Sequence, residues 1–186
     1  MQASALEGGF AQAPIDSSHA FRAVMIALAQ PGEICTVAGA NPPAPLSVAA
    51  GVVVLTLCDP DTPVFLGAGH DTPEVRNWIK FHTGAPITNE AEAMFAIGLW
   101  ADLPEAAFSL GTTEYPDRSA TLIVEIPVLE NSGATLRGPG IKDSALLSVP
   151  ETKAFQANAT HFPLGLDFIF TCVDRLAGVT RTTRVG

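Results

Sequence analysis

Positive charge is scarce in this sequence. Of 186 residues only 10 are Lys or Arg, against 19 Asp or Glu, which leaves a net charge of −9. A general nucleic-acid binder needs a basic face to displace counterions from phosphates, and this balance argues against one. Long apolar runs are missing too, despite an apolar fraction of 47% and a mean hydropathy of +0.29. The longest, Val48 to Cys58, is interrupted by Gly51 and Thr56 and falls far short of the roughly 20 residues a spanning helix requires. The first residues, MQASALEGGFAQAP, contain neither a basic stretch nor an apolar core of a secretory signal, so a cytoplasmic protein is expected. Cys35, Cys58 and Cys172 are odd in number, widely spaced and without C-x-x-C. That pattern excludes a zinc-finger spacing and argues against a disulfide framework; buried, inert thiols are the expectation.

Catalytic motifs are equally sparse. Only Lys80, Lys142 and Lys153 could form a Schiff base, and none falls in an apolar setting that would make a pyridoxal phosphate pocket. There is no G-x-S-x-G, no cysteine-protease signature and no H-E-x-x-H. His19, His70, His82 and His161 are scattered. No metal site and no cofactor are expected. Anion sites remain open. Gly67-Ala68-Gly69 stands between an expected strand and a helix start, where N–H groups could meet a phosphate or simply turn the chain. Gly138-Pro139-Gly140 has Arg137 and Lys142 beside it, and Arg175, Arg181 and Arg184 follow one another with no acid after Asp174. The plainer reading of those arginines is the solvated end of a hairpin.

What is present is a dense alternation of elements punctuated by 16 glycines and 15 prolines. At this length one domain is expected over residues 1–186, its first ~15 residues an arm. Asp16, Ser17 and Ser18 offer N-caps for a helix over HAFRAVMIALAQ, with Phe21, Val24 and Leu28 on its buried face and Pro31-Gly32 as its stop. VAAGVVVLTLCD suits strand or helix; its small residues and length favour a buried helix, with Ser47 as cap. TPVFLG reads as a strand. Thr72 or Asp71, then Pro73 and Glu74, open a helix that buries Val75, Trp78 and Ile79 and ends at Gly84. AMFAIGLW and TLIVEIPVL read as strands, with a short Asp102-capped helix, PEAAFSL, between them. Asn131-Ser132-Gly133 suggests a hairpin from TLIVEIPVL to ATLRG. A loop, a helix near Glu151 to Asn158, the strand DFIFTC and a returning strand AGVTRTTRV complete the chain. Strands interspersed with helices predict an α/β fold around a mixed sheet.

Several stretches, taken in order, carry a family resemblance. They are Ser18-His19-Ala20-Phe21-Arg22, LTLCDPDTPV (with Asp59, Asp61, Thr62 and Pro63), and Phe81-His82-Thr83-Gly84-Ala85-Pro86. Ala120-Thr121-Leu122-Ile123, Gly138-Pro139-Gly140-Ile141 and HFPLGLD (with Phe162, Pro163, Gly165 and Asp167) follow, then Thr171-Cys172 and Thr180-Arg181-Thr182-Thr183. The chain resembles the H subunit of bacterial carbon–phosphorus lyase, the PhnH family, from residue 16 to 185. It departs from the family's usual pattern at Pro139 and Thr180. The resemblance implies a three-layer αβα sandwich akin to pyridoxal phosphate-dependent transferases but without their cofactor. It implies a homodimer in isolation and a core complex with subunits G, I and J. That complex converts an alkylphosphonate and ATP to ribose 1-alkylphosphonate 5-triphosphate, releasing adenine. It assigns no catalytic residue to this subunit, whose motif residues are then structural. The alternative is a stand-alone phosphonate- or nucleotide-binding protein or enzyme that uses Gly67, Gly69, Arg137, Arg181 or Arg184.

Overall fold

A computed structural model of the chain describes residues 7–186. Its frame is a six-stranded mixed sheet. Four strands run parallel at its centre and one edge: β2 (Val64–Leu66), β3 (Phe95–Leu99), β4 (Thr121–Glu125) and β7 (Asp167–Cys172). Antiparallel β8 (Arg175–Val179) and β1 (Cys35–Thr36) extend it, giving the order β1-β8-β7-β4-β3-β2. A second, antiparallel sheet is made of β6 (Ala145–Leu147), β5 (Ala134–Arg137) and β9 (Arg184–Val185). The α/β class with a mixed sheet is therefore as the sequence predicts.

Because side chains alternate across a strand, the sheet sorts its apolar residues into two cores. Ile97, Ile123, Ile169 and Leu176 face one side, against α1 (Ala13–Ala29), α2 (Val48–Leu57) and α3 (Pro73–Thr83). Leu122, Val124, Phe168 and Phe170 face the other, against α4 (Thr152–Ala159) and the small sheet. Near-continuous apolar runs in β4 and β7 follow from this two-sided burial. On the second side Trp100 stacks on Phe155, which meets Phe168 edge-on at 4.8 Å between ring centroids. That second layer is one α-helix plus a three-stranded sheet rather than a full layer of helices.

The helical expectation for VAAGVVVLTL holds, and Ser47 caps it by accepting a hydrogen bond from the Ala50 N–H at 3.1 Å. In α3, Thr72 accepts from Val75, Val75, Trp78 and Ile79 are buried, and Gly84 closes the helix with φ 74°. Glycine is required there because the left-handed region is costly for other residues.

Other expectations need correction. α1 starts at Ala13, three residues before Asp16, the first of the residues expected to cap it, and the Asp16 carboxylate takes the Gln12 N–H. Ala13–Ile15, expected in an arm, are thus helical, and Glu7 accepts from the Trp78 indole N–H through its carbonyl. The rest of the expected arm, residues 1–6, lies outside the described residues. The buried face of α1 is Ala20, Val24 and Ala27, while Phe21 is 50% exposed. Its backbone lies so close to β8 that a Cβ at Gly178 would stand 2.7 Å from the Ala27 carbonyl oxygen. That closeness favours alanine at Ala20 and Ala27, with Val24 also buried and Leu28 partly buried as expected, while Phe21 and Met25 turn outward.

PEAAFSL forms a single 3-10 turn at Glu105–Ala107 without a side-chain cap, and Asp102 is engaged elsewhere. Asn131-Ser132-Gly133 does not turn β4 into a hairpin with β5. β4 is already paired on both edges, so β5 joins the other sheet and Asn131 instead donates to the Gly32 carbonyl at 2.6 Å. The stretch expected as loop contains β6. The returning C-terminal strand is two strands, β8 and β9, separated by a turn and assigned to different sheets.

Candidate functional site

In open α/β sheets ligands gather outside the carboxyl ends of the parallel strands. Here those ends deliver His70 after β2, Asp102 after β3, Glu125 on β4 and Thr171 on β7. Glu125 is buried and fully used: it accepts the Ser47 N–H at 2.7 Å and the Thr171 hydroxyl at 3.0 Å. The Ser47 backbone thereby anchors the start of α2 to the sheet. Asp102 accepts the Gly69 N–H at 3.4 Å. His70 is only 3% exposed, yet neither ring nitrogen has a hydrogen-bond partner. Burial pushes its imidazole below the ordinary histidine range, and the Glu125 and Asp102 carboxylates oppose that shift.

This geometry revises the glycine turn. The Gly67 N–H bonds to Ile97, a Cβ at Gly67 would lie 2.8 Å from the Asp102 Cβ, and the Gly69 N–H faces a carboxylate of the chain itself. Asp71, just before α3, is paired with Arg76, which holds its carboxyl below the usual range. The negative group at this turn is internal. Sequence reasoning missed His70, Asp102 and Glu125 as a group. The one available signal was their position at the end of an expected strand.

The arginines are separated by the fold. Arg181 forms an ion pair with Asp167, and its guanidinium also donates to the Pro116 carbonyl at 2.6 Å and to the Ser119 hydroxyl. Its backbone N–H bonds to the same Asp167 at 2.9 Å. The 180–183 turn is thus fastened to the amino end of β7, with Thr180, Thr182 and Thr183 joined through their hydroxyls. Gly165 lies beside it with φ 129°, where a Cβ would be 3.2 Å from that of Arg181. Arg184 on β9 and Arg137 on β5 are instead exposed and directly opposite one another.

The other motif residues divide in the same way. The Thr62 hydroxyl accepts the Asp59 N–H and donates to the Asp59 carbonyl, and the Asp59 carboxylate accepts the Asp61 N–H, around the turn that precedes Pro63. The Thr83 hydroxyl donates to the Ile79 carbonyl and accepts the Ala85 N–H, and the His82 ring packs at a tilt against Trp78, 5.0 Å between ring centroids. Cys172 is buried at the end of β7, its thiol 3.5 Å from the Pro127 carbonyl. Cys58 is buried as expected, and burial pushes its thiol up to about 12. Cys35 is only partly buried, a departure from expectation; its thiol is also raised. His19, Phe21, Arg22, Phe81, Phe162 and Pro163 are all exposed. The lysines Lys80, Lys142 and Lys153 are exposed too, and none lies at the carboxyl ends of the strands. Among the described residues no His, Cys, Asp and Glu cluster is arranged to hold a metal, and no helix is long and apolar enough to cross a membrane.

The family model for the bacterial phosphonate metabolism protein PhnH matches residues 8–186. A relative from Rhizobium meliloti (strain 1021), the alpha-D-ribose 1-methylphosphonate 5-triphosphate synthase subunit PhnH, is 39% identical over 99% of this chain and 97% of its own length. The putative C-P lyase subunit protein HtxG of Stutzerimonas stutzeri is 28% identical over 94% of this chain and 87% of its own. With the family's match running from Gly8 to the last residue, the chain belongs to the PhnH family of bacterial phosphonate metabolism.

Proposed function

We propose that this chain is a structural, non-catalytic subunit of a cytoplasmic carbon–phosphorus lyase core complex, with subunits G, I and J as partners. The complex converts an alkylphosphonate and ATP to ribose 1-alkylphosphonate 5-triphosphate with release of adenine. The observation that carries this reading is the 39% identity, over nearly both full lengths, to a relative named as a subunit of the corresponding synthase. The mixed sheet is the framework from which a transferase-like sandwich without its cofactor would be built.

The distribution of motif residues supports it. Those with inward contacts fasten turns and helix ends, as in Thr62, Thr83, Asp167 and Arg181. Those that point outward include Phe21, and with Met25 one turn later on α1 it leaves two large apolar side chains 50% exposed. Side chains at i and i+4 share one helix face. This face is the one we assign to contacts with another chain, whether a second copy in isolation or a partner subunit in the complex.

Reconstitution tests the reading. With partner subunits present, the core complex is expected to require this chain for assembly and turnover, and Phe21→Asp with Met25→Asp should weaken assembly while the isolated fold survives. A complex that assembles and turns over normally without the chain would overturn it. So would a hundredfold loss of kcat in an assembled complex carrying His70→Ala or Glu125→Gln, because that would mark a catalytic group here.

A further inference from the structure

Arg137 and Arg184 are Cα partners in the antiparallel β5–β9 pair. Thr135 and Gly186 exchange both backbone hydrogen bonds, at 2.7 and 2.9 Å. By alternation the arginines form the next hydrogen-bonded pair, with Cα atoms about 5.5 Å apart. Their neighbours Leu136 and Val185 are buried, so both guanidinium groups leave the same outer face. Among the described residues neither arginine has a carboxylate partner; the ion pairs are Arg76–Asp71 and Arg181–Asp167. Like charges directly opposite destabilise a sheet. In a chain with 19 acids and 10 Lys or Arg, two facing arginines without an acid between them call for an external anion.

The surroundings are shaped for a small one. Arg184 borders a cavity of about 300 Å³ walled by Pro139, Ala159, Phe162, Arg181 and Thr182. A second hollow of about 260 Å³, shared at Ala159 and Arg184, adjoins it. The first volume lies at the lower end of small-molecule sites. Phe162, 62% exposed, offers a bare ring at the wall. Gly138, with φ 142°, lets the end of β5 close on the 180–183 turn: a Cβ there would sit 2.9 Å from the Thr182 carbonyl oxygen. Arg181 is neutralised by Asp167, which leaves Arg184 as the uncompensated charge lining the cavity, with Arg137 directly opposite it on β5.

We propose that this corner binds a small molecule bearing a phosphoryl or phosphonyl group, its oxygens shared by Arg137 and Arg184 and its substituent laid against Phe162 and Pro139. Two guanidinium forks match a dianion with three oxygens better than a single carboxylate. The site stands whether or not the chain is a complex subunit, so its failure and the failure of that reading are separate results.

Thermal unfolding and calorimetry of the full chain decide it, with inorganic phosphate, methylphosphonate, phenylphosphonate and ATP as probes and acetate at matched ionic strength as the control. Phosphate and the phosphonates are expected to raise the unfolding midpoint, phenylphosphonate most, and Arg137→Gln or Arg184→Gln should weaken binding at least tenfold. Without ligand at low salt, both variants should unfold at the wild-type midpoint or above it, since a repulsion is removed. Arg118→Gln, altering an exposed arginine stacked on Tyr115, should bind like wild type. Tighter ATP than phenylphosphonate binding would place a nucleotide's phosphate here; the reverse would place a phosphonate. No response at tens of millimolar, equal binding by the Gln variants, or an equal response to acetate would overturn the proposal. The acetate outcome would point to an acidic protein segment instead.

Discussion

The two ends of β7 solve the same problem in opposite ways. At its amino end Asp167 meets Arg181, and the guanidinium is satisfied on every side by Asp167, Ser119 and Pro116. At its carboxyl end Thr171 meets Glu125, which is satisfied, but the neighbouring His70 is enclosed with two bare ring nitrogens. A closed polar network fixes one structure, whereas a partly filled one retains unmet bonding capacity in a low-dielectric setting. The amino end therefore reads as a clamp, and the carboxyl end as the place where the fold keeps something in reserve.

The clamp should show the largest effect. Asp167→Ala leaves the Arg181 charge largely buried without its partner, which typically costs about 3–5 kcal/mol. Arg181→Ala should cost a similar amount, and the double variant Asp167→Ala with Arg181→Ala less than the sum of the two. Urea unfolding of the four proteins measures this. Additive losses would show that the two side chains do not act as a unit.

Glu125 should come next. Glu125→Ala strands the Ser47 N–H and leaves the Thr171 hydroxyl only the Val124 carbonyl at 3.4 Å, for about 2 kcal/mol, and Glu125→Gln should lose less because it keeps an acceptor. A Glu125→Ala loss larger than that of Asp167→Ala would reverse the ranking of the two ends. Hydrogen exchange should locate the damage at the start of α2, where the Ser47 N–H meets the carboxylate.

The clamp was half legible in the sequence. DFIFTC announces a strand and Arg181 an unpaired cation, but they are fourteen residues apart and only the turn at 180–183 brings them together. Local chemistry was legible wherever it is local: Thr72 before Pro73, Gly84 after α3, Ser47 before α2. α1 was legible as a helix but not in its facing, because apolar residues surround it and the closeness of β8, set by Gly178, selects alanine over Phe21. The fate of β5 depended on β4 having both edges taken, a property of the whole sheet. Glu125, His70 and Asp102 come from three separate strand ends, so their proximity is likewise a product of topology.

His70 gives a subtler distinction, in pH rather than in total stability. Its folded-state pKa is lowered, so the unfolded chain binds more protons and stability rises with pH. The contribution is complete above the unfolded value near 6.5 and is lost as pH falls from there toward the folded value. One proton limits the slope to about 1.4 kcal/mol per pH unit. Urea midpoints between pH 7.5 and 5 should fall in the wild type and fall less in His70→Gln. Parallel curves for the two proteins would show that His70 is not the group responsible.

The smallest effect should come from the other ion pair made of the same two residue types. Asp71–Arg76, at the start of α3, has side chains 32% and 49% exposed, against 22% and 14% for Asp167 and Arg181. Water already solvates both partners, so the attraction is weak and the cost of orienting two side chains offsets much of it. Arg76→Ala should cost less than about 1 kcal/mol. Raising salt to 1 M contracts the screening length to about 3 Å and should remove most of that difference, while the Arg181→Ala loss should persist. If Arg76→Ala instead matched Arg181→Ala and kept its size in salt, burial would not be what makes the clamp strong. The reason would then have to lie in the donors that Arg181 has and Arg76 lacks, those to Pro116 and Ser119.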